Sequence, residues 1–143
     1  MTKTHSGFTL TEVMITVGIL AILAAMAVPM YQKTMERSYW RGSQDMLQTV
    51  YAGEQVFWTA NDTYTNPAAC APVWRCIYMD NPNTGSNMPV AFSVTSPGGA
   101  WKTKFTSTAS RGDGRCMKVT EATRVVDTSG GSAAGCTKGW PQP

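Results

Sequence analysis

One carboxylate and four thiols are the residues here whose placement asks for chemistry. The carboxylate is Glu12. It sits near the start of "GFTLTEVMITVGILAILAAMAVP", Gly7 to Pro29, and no charge falls between Val13 and Gln32. A carboxylate taken into hydrocarbon costs several kcal/mol unless it is paired or neutralised. An acid in such a run therefore marks a functional position, and its partner must be a cation. The neighbouring sequence offers Lys3, or the α-amine that a cut after Gly7 would create at Phe8. Within one chain that amine lies one helical turn from Glu12. Between chains shifted along their axes, the amine of one copy reaches Glu12 of another, and the pairing rewards assembly.

The thiols are Cys70, Cys76, Cys116 and Cys136, all beyond the apolar run. An even count in a segment expected to be exported points to disulfides. Three connectivities are open. Cys70 with Cys76 and Cys116 with Cys136 is the preferred one, because each bond closes a local loop. Close Cys-x-x-Cys pairs of the kind zinc sites use are absent from the sequence.

Other chemistry finds little support. The single histidine, His5, lies in the short polar leader "MTKTHSG". Once that leader is removed, no Ser-His-Asp triad, Cys-His pair or His-rich metal site can be built. The nine carboxylates form no recognisable catalytic pair, so we expect no enzyme, no cofactor and no resident metal. The net charge of +3 falls to +2 without Lys3, which gives no case for nucleic acid as a partner. "DNPNTGSN" at 80–87 has oxygen ligands but few carboxylates, and reads as a turn rather than a calcium loop. Arg111-Gly112-Asp113 and the sequon "NDT" at 61–63 are short enough to recur by chance.

The elements that must position these residues follow from hydropathy. The uncharged run is long enough to cross a hydrocarbon core as a helix. The basic leader favours a cytoplasmic N-terminus. From Tyr31 to about Asn61, apolar residues such as Met35, Tyr39, Met46, Val50 and Phe57 recur at helical spacing among charges. The pattern continues past Pro29 and Gly42, so both read as bends. One helix of about fifty residues from near Phe8 is expected. Its small residues Gly18, Ala21, Ala24, Ala25 and Ala27 allow close helix approach. Its aromatics read as packing and interfacial anchors. After Asn61 the composition turns to Gly, Pro, Asn, Ser and Thr. Strands are expected at 90–95, 101–108, 115–120 and 123–127, with "GDG" at 112–114 as a hairpin turn. The division is then leader 1–7, spanning helix 8–30, amphipathic helix 31–61 and a β-rich head 62–143. The fold class is α+β, a long helix packed on a small antiparallel sheet.

"SGFTLTEVMITVGILAILAAMAVPMYQ" resembles the N-terminus of a type IV prepilin, the precursor of pilus subunits and secretion pseudopilins. The resemblance rests on the short basic leader ending in Gly7, the aromatic Phe8, Glu12 as fifth residue after it, the apolar run, and Pro29 where the family often bends its helix. "YAGEQVFWTANDTYT" at 51–65 is similar, more weakly, to the helix end of small pilins. The resemblance implies cleavage between Gly7 and Phe8 by a prepilin peptidase, N-methylation of Phe8, and a role for Glu12 in registering subunits. It implies a homo-oligomeric helical filament built from the inner membrane by assembly machinery. The head would then lie on the periplasmic and later extracellular side. A loop bonded by Cys116 and Cys136 resembles the disulfide-bounded region of pilins and favours a pilus subunit over a pseudopilin. Two rivals remain. "AMA" at 25–27 fits a signal peptidase cut that would release a domain from Val28. A plain anchor with Glu12 snorkelling to the interface needs no cut at all.

Overall fold

The computed structural model describes residues 7–85, 87–96, 99–129 and 136–142. The elements run α1 (Leu10–Asn61), α2 (Val73–Cys76), β1 (Val90–Thr95), β2 (Thr106–Arg111), β3 (Arg115–Thr120), β4 (Thr123–Asp127) and β5 (Lys138–Gly139). The chain divides into two units, Met1–Glu36 and Arg37–Pro143.

In the first unit, every described residue from Gly7 to Thr34 is exposed. This part of α1 is long and apolar enough to cross a membrane. Leu10 is 76% exposed and Met30 71%, so the chain itself supplies no burial for these side chains. Leu10 starts α1, two residues later than the sequence pattern suggests. Pro29 removes the N–H that would bond the Ala25 carbonyl, yet the helix continues through it and through Gly42.

In the second unit, α1 buries a stripe of Ser43, Leu47, Val50 and Glu54. These positions are four, three and four residues apart, one face of a helix. Tyr39, Trp40, Met46, Tyr51 and Phe57 flank the stripe and pack against the same core. The expected positions Tyr39, Met46 and Phe57 thus lie at the margin, and Leu47 and Val50 at the centre. Two glycines let the helix pack closely. A Cβ on Gly53 would lie 2.9 Å from the Ile77 Cβ, and one on Gly42 would lie 3.2 Å from the Met88 sulfur.

The sheet runs β1-β2-β3-β4 antiparallel, with the short β5 parallel to β3. Its inner face is built in rows. Phe92 pairs with Ala109 and Ala109 with Met117; Val94 pairs with Ser107 and Ser107 with Val119. Large residues on the outer strands flank small ones on β2, which keeps each row level. The turn at 112–114 joins β2 to β3, with Gly114 at φ 85°. All five tryptophans, Trp40, Trp58, Trp74, Trp101 and Trp140, belong to this second unit.

The expected strand at 101–108 is corrected. Residues 101–103 form a turn closed by Thr103 N–H and Lys104 N–H donating to the Ala100 carbonyl at 3.0 and 2.9 Å. The Trp101 carbonyl accepts from Tyr64 N–H at 2.7 Å, so the turn is tied to the segment following α1. The strand starts at Thr106 instead. It was hard to see because "TSTASR" is almost wholly polar or small, as a strand between two bulky neighbours can be.

Candidate functional site

The segment around Glu12 is a helix start built from its own side chains. Thr9 precedes α1, and Glu12 is the third residue of the helix. The Thr9 N–H donates to Glu12 Oε2 at 2.9 Å, and the Thr9 hydroxyl donates to the same oxygen at 2.7 Å. The Glu12 N–H points to Thr9 Oγ1 at 3.3 Å. This reciprocal arrangement is a capping box, in which two helix-start donors find partners at once. A negative charge in the first turn also suits the positive end of the helix dipole. The sequence signal, Thr-x-x-Glu before an apolar run, was present but overshadowed by the cost of the acid.

Gly7 and Phe8 lie just ahead of this box. Phe8 is 88% exposed. A Cβ on Gly7 would meet nothing within 4 Å, so packing within the chain does not demand glycine there. Lys3 and His5 lie outside the described residues. Chemically, the site offers an accessible peptide bond between two exposed residues, followed one turn later by an exposed carboxylate.

The cysteines form two bonds, Cys70–Cys76 and Cys116–Cys136. The first closes a small ring that carries α2. The second holds the tail beside β3, where Lys138 and Gly139 pair with Arg115 and Cys116. Trp140 follows at once and is fully buried. Its carbonyl accepts from the Trp40 indole N–H at 2.9 Å. The guanidinium groups of Arg111 and Arg115 lie 5.9 and 5.7 Å from its ring centroid, cation–π distances.

Two other sequence motifs make bonds within the chain. In Arg111-Gly112-Asp113, the Asp113 carboxylate is gripped by Arg115 at 2.6 Å and faces Arg111 at 3.6 Å. The hydrogen bond to Arg115 holds its carboxyl below the usual aspartate range. In the 80–87 stretch, Asn81 Oδ1 accepts from Asn83 N–H at 3.0 Å, and Asn83 Oδ1 from Phe92 N–H at 2.7 Å. These two side-chain oxygens are thus committed to backbone amides. Among the described residues, no cluster of three or more His, Cys, Asp or Glu side chains is set to hold a metal.

Sequence reasoning missed one buried acid. Glu54 is fully buried on the core face of α1. Its carboxylate accepts from the Thr65 N–H at 2.9 Å and from the Thr65 hydroxyl. Burial pushes its carboxyl above the ordinary glutamate value, against the pull of both Thr65 bonds. The signal was its spacing, seven residues after Leu47 and four after Val50.

Residues 2–28 match the family described as the prokaryotic N-terminal methylation motif. A stretch of 62 residues is 38% identical to the type IV major pilin protein PilA of Myxococcus xanthus (strain DK1622). That stretch covers 43% of this chain and 28% of the relative, little more than a quarter of the latter's length. No solved structure matches the chain.

Proposed function

We propose, from the premise that this chain carries the N-terminal region of the type IV prepilin and pilin family, that it is a structural subunit of a type IV pilus-like filament. The carrying observation is the exposed apolar half of α1. From Gly7 to Thr34 no side chain is buried by the protein itself. Such a surface is stable only in lipid or against other copies. In the inner membrane the lipid covers it. In the filament neighbouring helices replace the lipid, with Gly18 and the alanines after it allowing close approach. The head, on the far side of the membrane, ends outside the cell.

The mechanism is assembly, not catalysis. A prepilin peptidase cuts between Gly7 and Phe8, and the new α-amine of Phe8 is N-methylated but stays cationic. Glu12, held until then by Thr9, exchanges those bonds for the amine of a neighbouring subunit. The exchange sets the axial register between copies. Pro29 bends the helix so that subunits fit around the filament axis. Assembly and secretion machinery supply the motor and the platform. A pilus subunit is favoured over a pseudopilin. The Cys116–Cys136 bond closes the C-terminal region, and the Asn81 and Asn83 oxygens are bound to amides where a calcium loop would use them.

The test is the mature N-terminus, read by sequencing and intact mass. A chain starting at Phe8 and one methyl group heavier is expected. A start at Val28 would make the head a secreted domain, and an uncut Met1 would make the protein a plain anchor. Glu12→Val then isolates the assembly step. The variant should insert and be processed normally, while filament yield falls at least tenfold on sheared-surface immunoblots. Normal yield would remove Glu12 from the mechanism.

A further inference from the structure

Among the described residues, β1 is the terminal strand of the sheet and pairs with β2 on one side only. Its sequence, VAFSVT, contains neither a charge nor a proline, the usual guards of a free edge. Here a side chain takes their place. Asn83 Nδ2 donates to the Phe92 carbonyl at 2.9 Å, and the Phe92 N–H donates to Asn83 Oδ1 at 2.7 Å. These are the two bonds that an antiparallel neighbour would make to Phe92. A carboxamide presents a donor and an acceptor as a peptide does, so Asn83 stands in for one residue of a missing strand. Its turn holds it in place. Asn83 N–H bonds to the Asn81 side chain at 3.0 Å, and the Thr84 hydroxyl to the Asn81 carbonyl at 2.9 Å.

We propose that the outer edge of β1 is a latent interface between two copies of this chain, held shut by Asn83. The occupant is β1 of a second copy, antiparallel and related by a two-fold axis. Phe92 of each copy would exchange with the other the two bonds now made to Asn83. The uncharged strand suits its own copy, since no like charges meet across the axis. Val90, Phe92 and Val94 are already buried in the core, so the joining uses backbone and the exposed Ala91, Ser93 and Thr95. Closure of this edge keeps heads from joining sideways while each remains a separate body.

The proposal is tested on the full chain in detergent micelles, where no filament is needed. Its failure is thus separate from failure of the filament reading. Asn83→Ala should raise the dimer fraction at least threefold by sedimentation velocity. Hydrogen exchange in the 90–95 segment should be slower in the dimer than in the dilute monomer. Adding Ser93→Lys, which sets a charge on the exposed side of the edge, should return the protein to monomer. A folded Asn83→Ala that stays as monomeric as wild type overturns the proposal, as does a dimer that Ser93→Lys leaves intact. Where Asn83→Ala does not fold, Asn83→Ser decides. It adds no charge, and its hydroxyl is too short to serve both Phe92 groups. More dimer than wild type supports a latent edge, and a wild-type monomer content overturns it.

Discussion

Glu54 ties the end of α1 to the segment after it through Thr65. Its carboxyl is raised by burial, so the folded state holds the proton more tightly than the unfolded chain. Below the ordinary glutamate value both states are protonated, and this contribution to stability is fully present. As pH rises through that value the unfolded chain ionises first, and stability falls until the native carboxyl ionises too. Melting of the full chain in micelles should therefore show Tm declining across that window, with a shallower slope in Glu54→Gln. The amide can still bond Thr65, so Glu54→Gln should keep within about 1 kcal/mol of wild type at acid pH. Glu54→Ala should lose about 1–3 kcal/mol, because the Thr65 amide is left without a partner. Identical slopes for wild type and Glu54→Gln would mean the buried proton is not linked to folding. Residue-scale legibility was uneven for a physical reason. Glu12 stood out because it opens an uncharged and mainly apolar run from Val13 to Gln32. Glu54 sits in a stretch that mixes polar and apolar residues, such as Thr49, Tyr51 and Gln55, and only its phase on the helix shows that it points inward.

Elements were easier to read than their contacts. The strands at 90–95, 115–120 and 123–127 were legible because apolar residues alternate or cluster there. β2 was misplaced because its inward residues, Ser107 and Ala109, are small, and the nearby Trp101, Lys102 and Phe105 drew the pattern toward them. β5 has two residues and no pattern, and depends on the Cys136 bond beside it. The glycines of α1 show the same gap between element and contact. Both Gly42 and Gly53 cost the helix about 1 kcal/mol relative to alanine. At Gly42 an added Cβ meets the far end of a flexible methionine, which can shift. Gly42→Ala should be neutral or stabilising by up to about 1 kcal/mol. At Gly53 the Cβ meets the Ile77 Cβ at 2.9 Å and the Ile77 carbonyl at 3.0 Å. Gly53→Ala should destabilise by about 1–3 kcal/mol despite the better propensity. Urea unfolding of the two variants checks the contrast, and equal midpoints would show that α1 does not need the close approach to Ile77.

At the scale of the molecule, the two disulfides divide their work by loop length. The chain-entropy account gives about 2 kcal/mol for the short Cys70–Cys76 ring and about 3 kcal/mol for Cys116–Cys136. Replacing both cysteines of the second pair by serine should also release β5 and Trp140, since Cys136 anchors both. Thermal unfolding and protease digestion of each double variant test the order. A larger loss from the Cys70–Cys76 pair would reverse it. The sequence suggested these pairs from loop closure, and the division between an apolar helix and a mixed head from composition. It carried no sign of where the tail would dock, because Trp140 finds its place through Trp40, a hundred residues away. The placement of the tryptophans has a practical side. With all five in Arg37–Pro143 and none in the apolar unit, tryptophan emission from this protein reports that second unit alone. Trp140 is sealed from solvent while Trp58 is 37% exposed. A soluble quencher should dim one and spare the other, giving an optical readout of head unfolding in vesicles, with lipid-embedded residues silent.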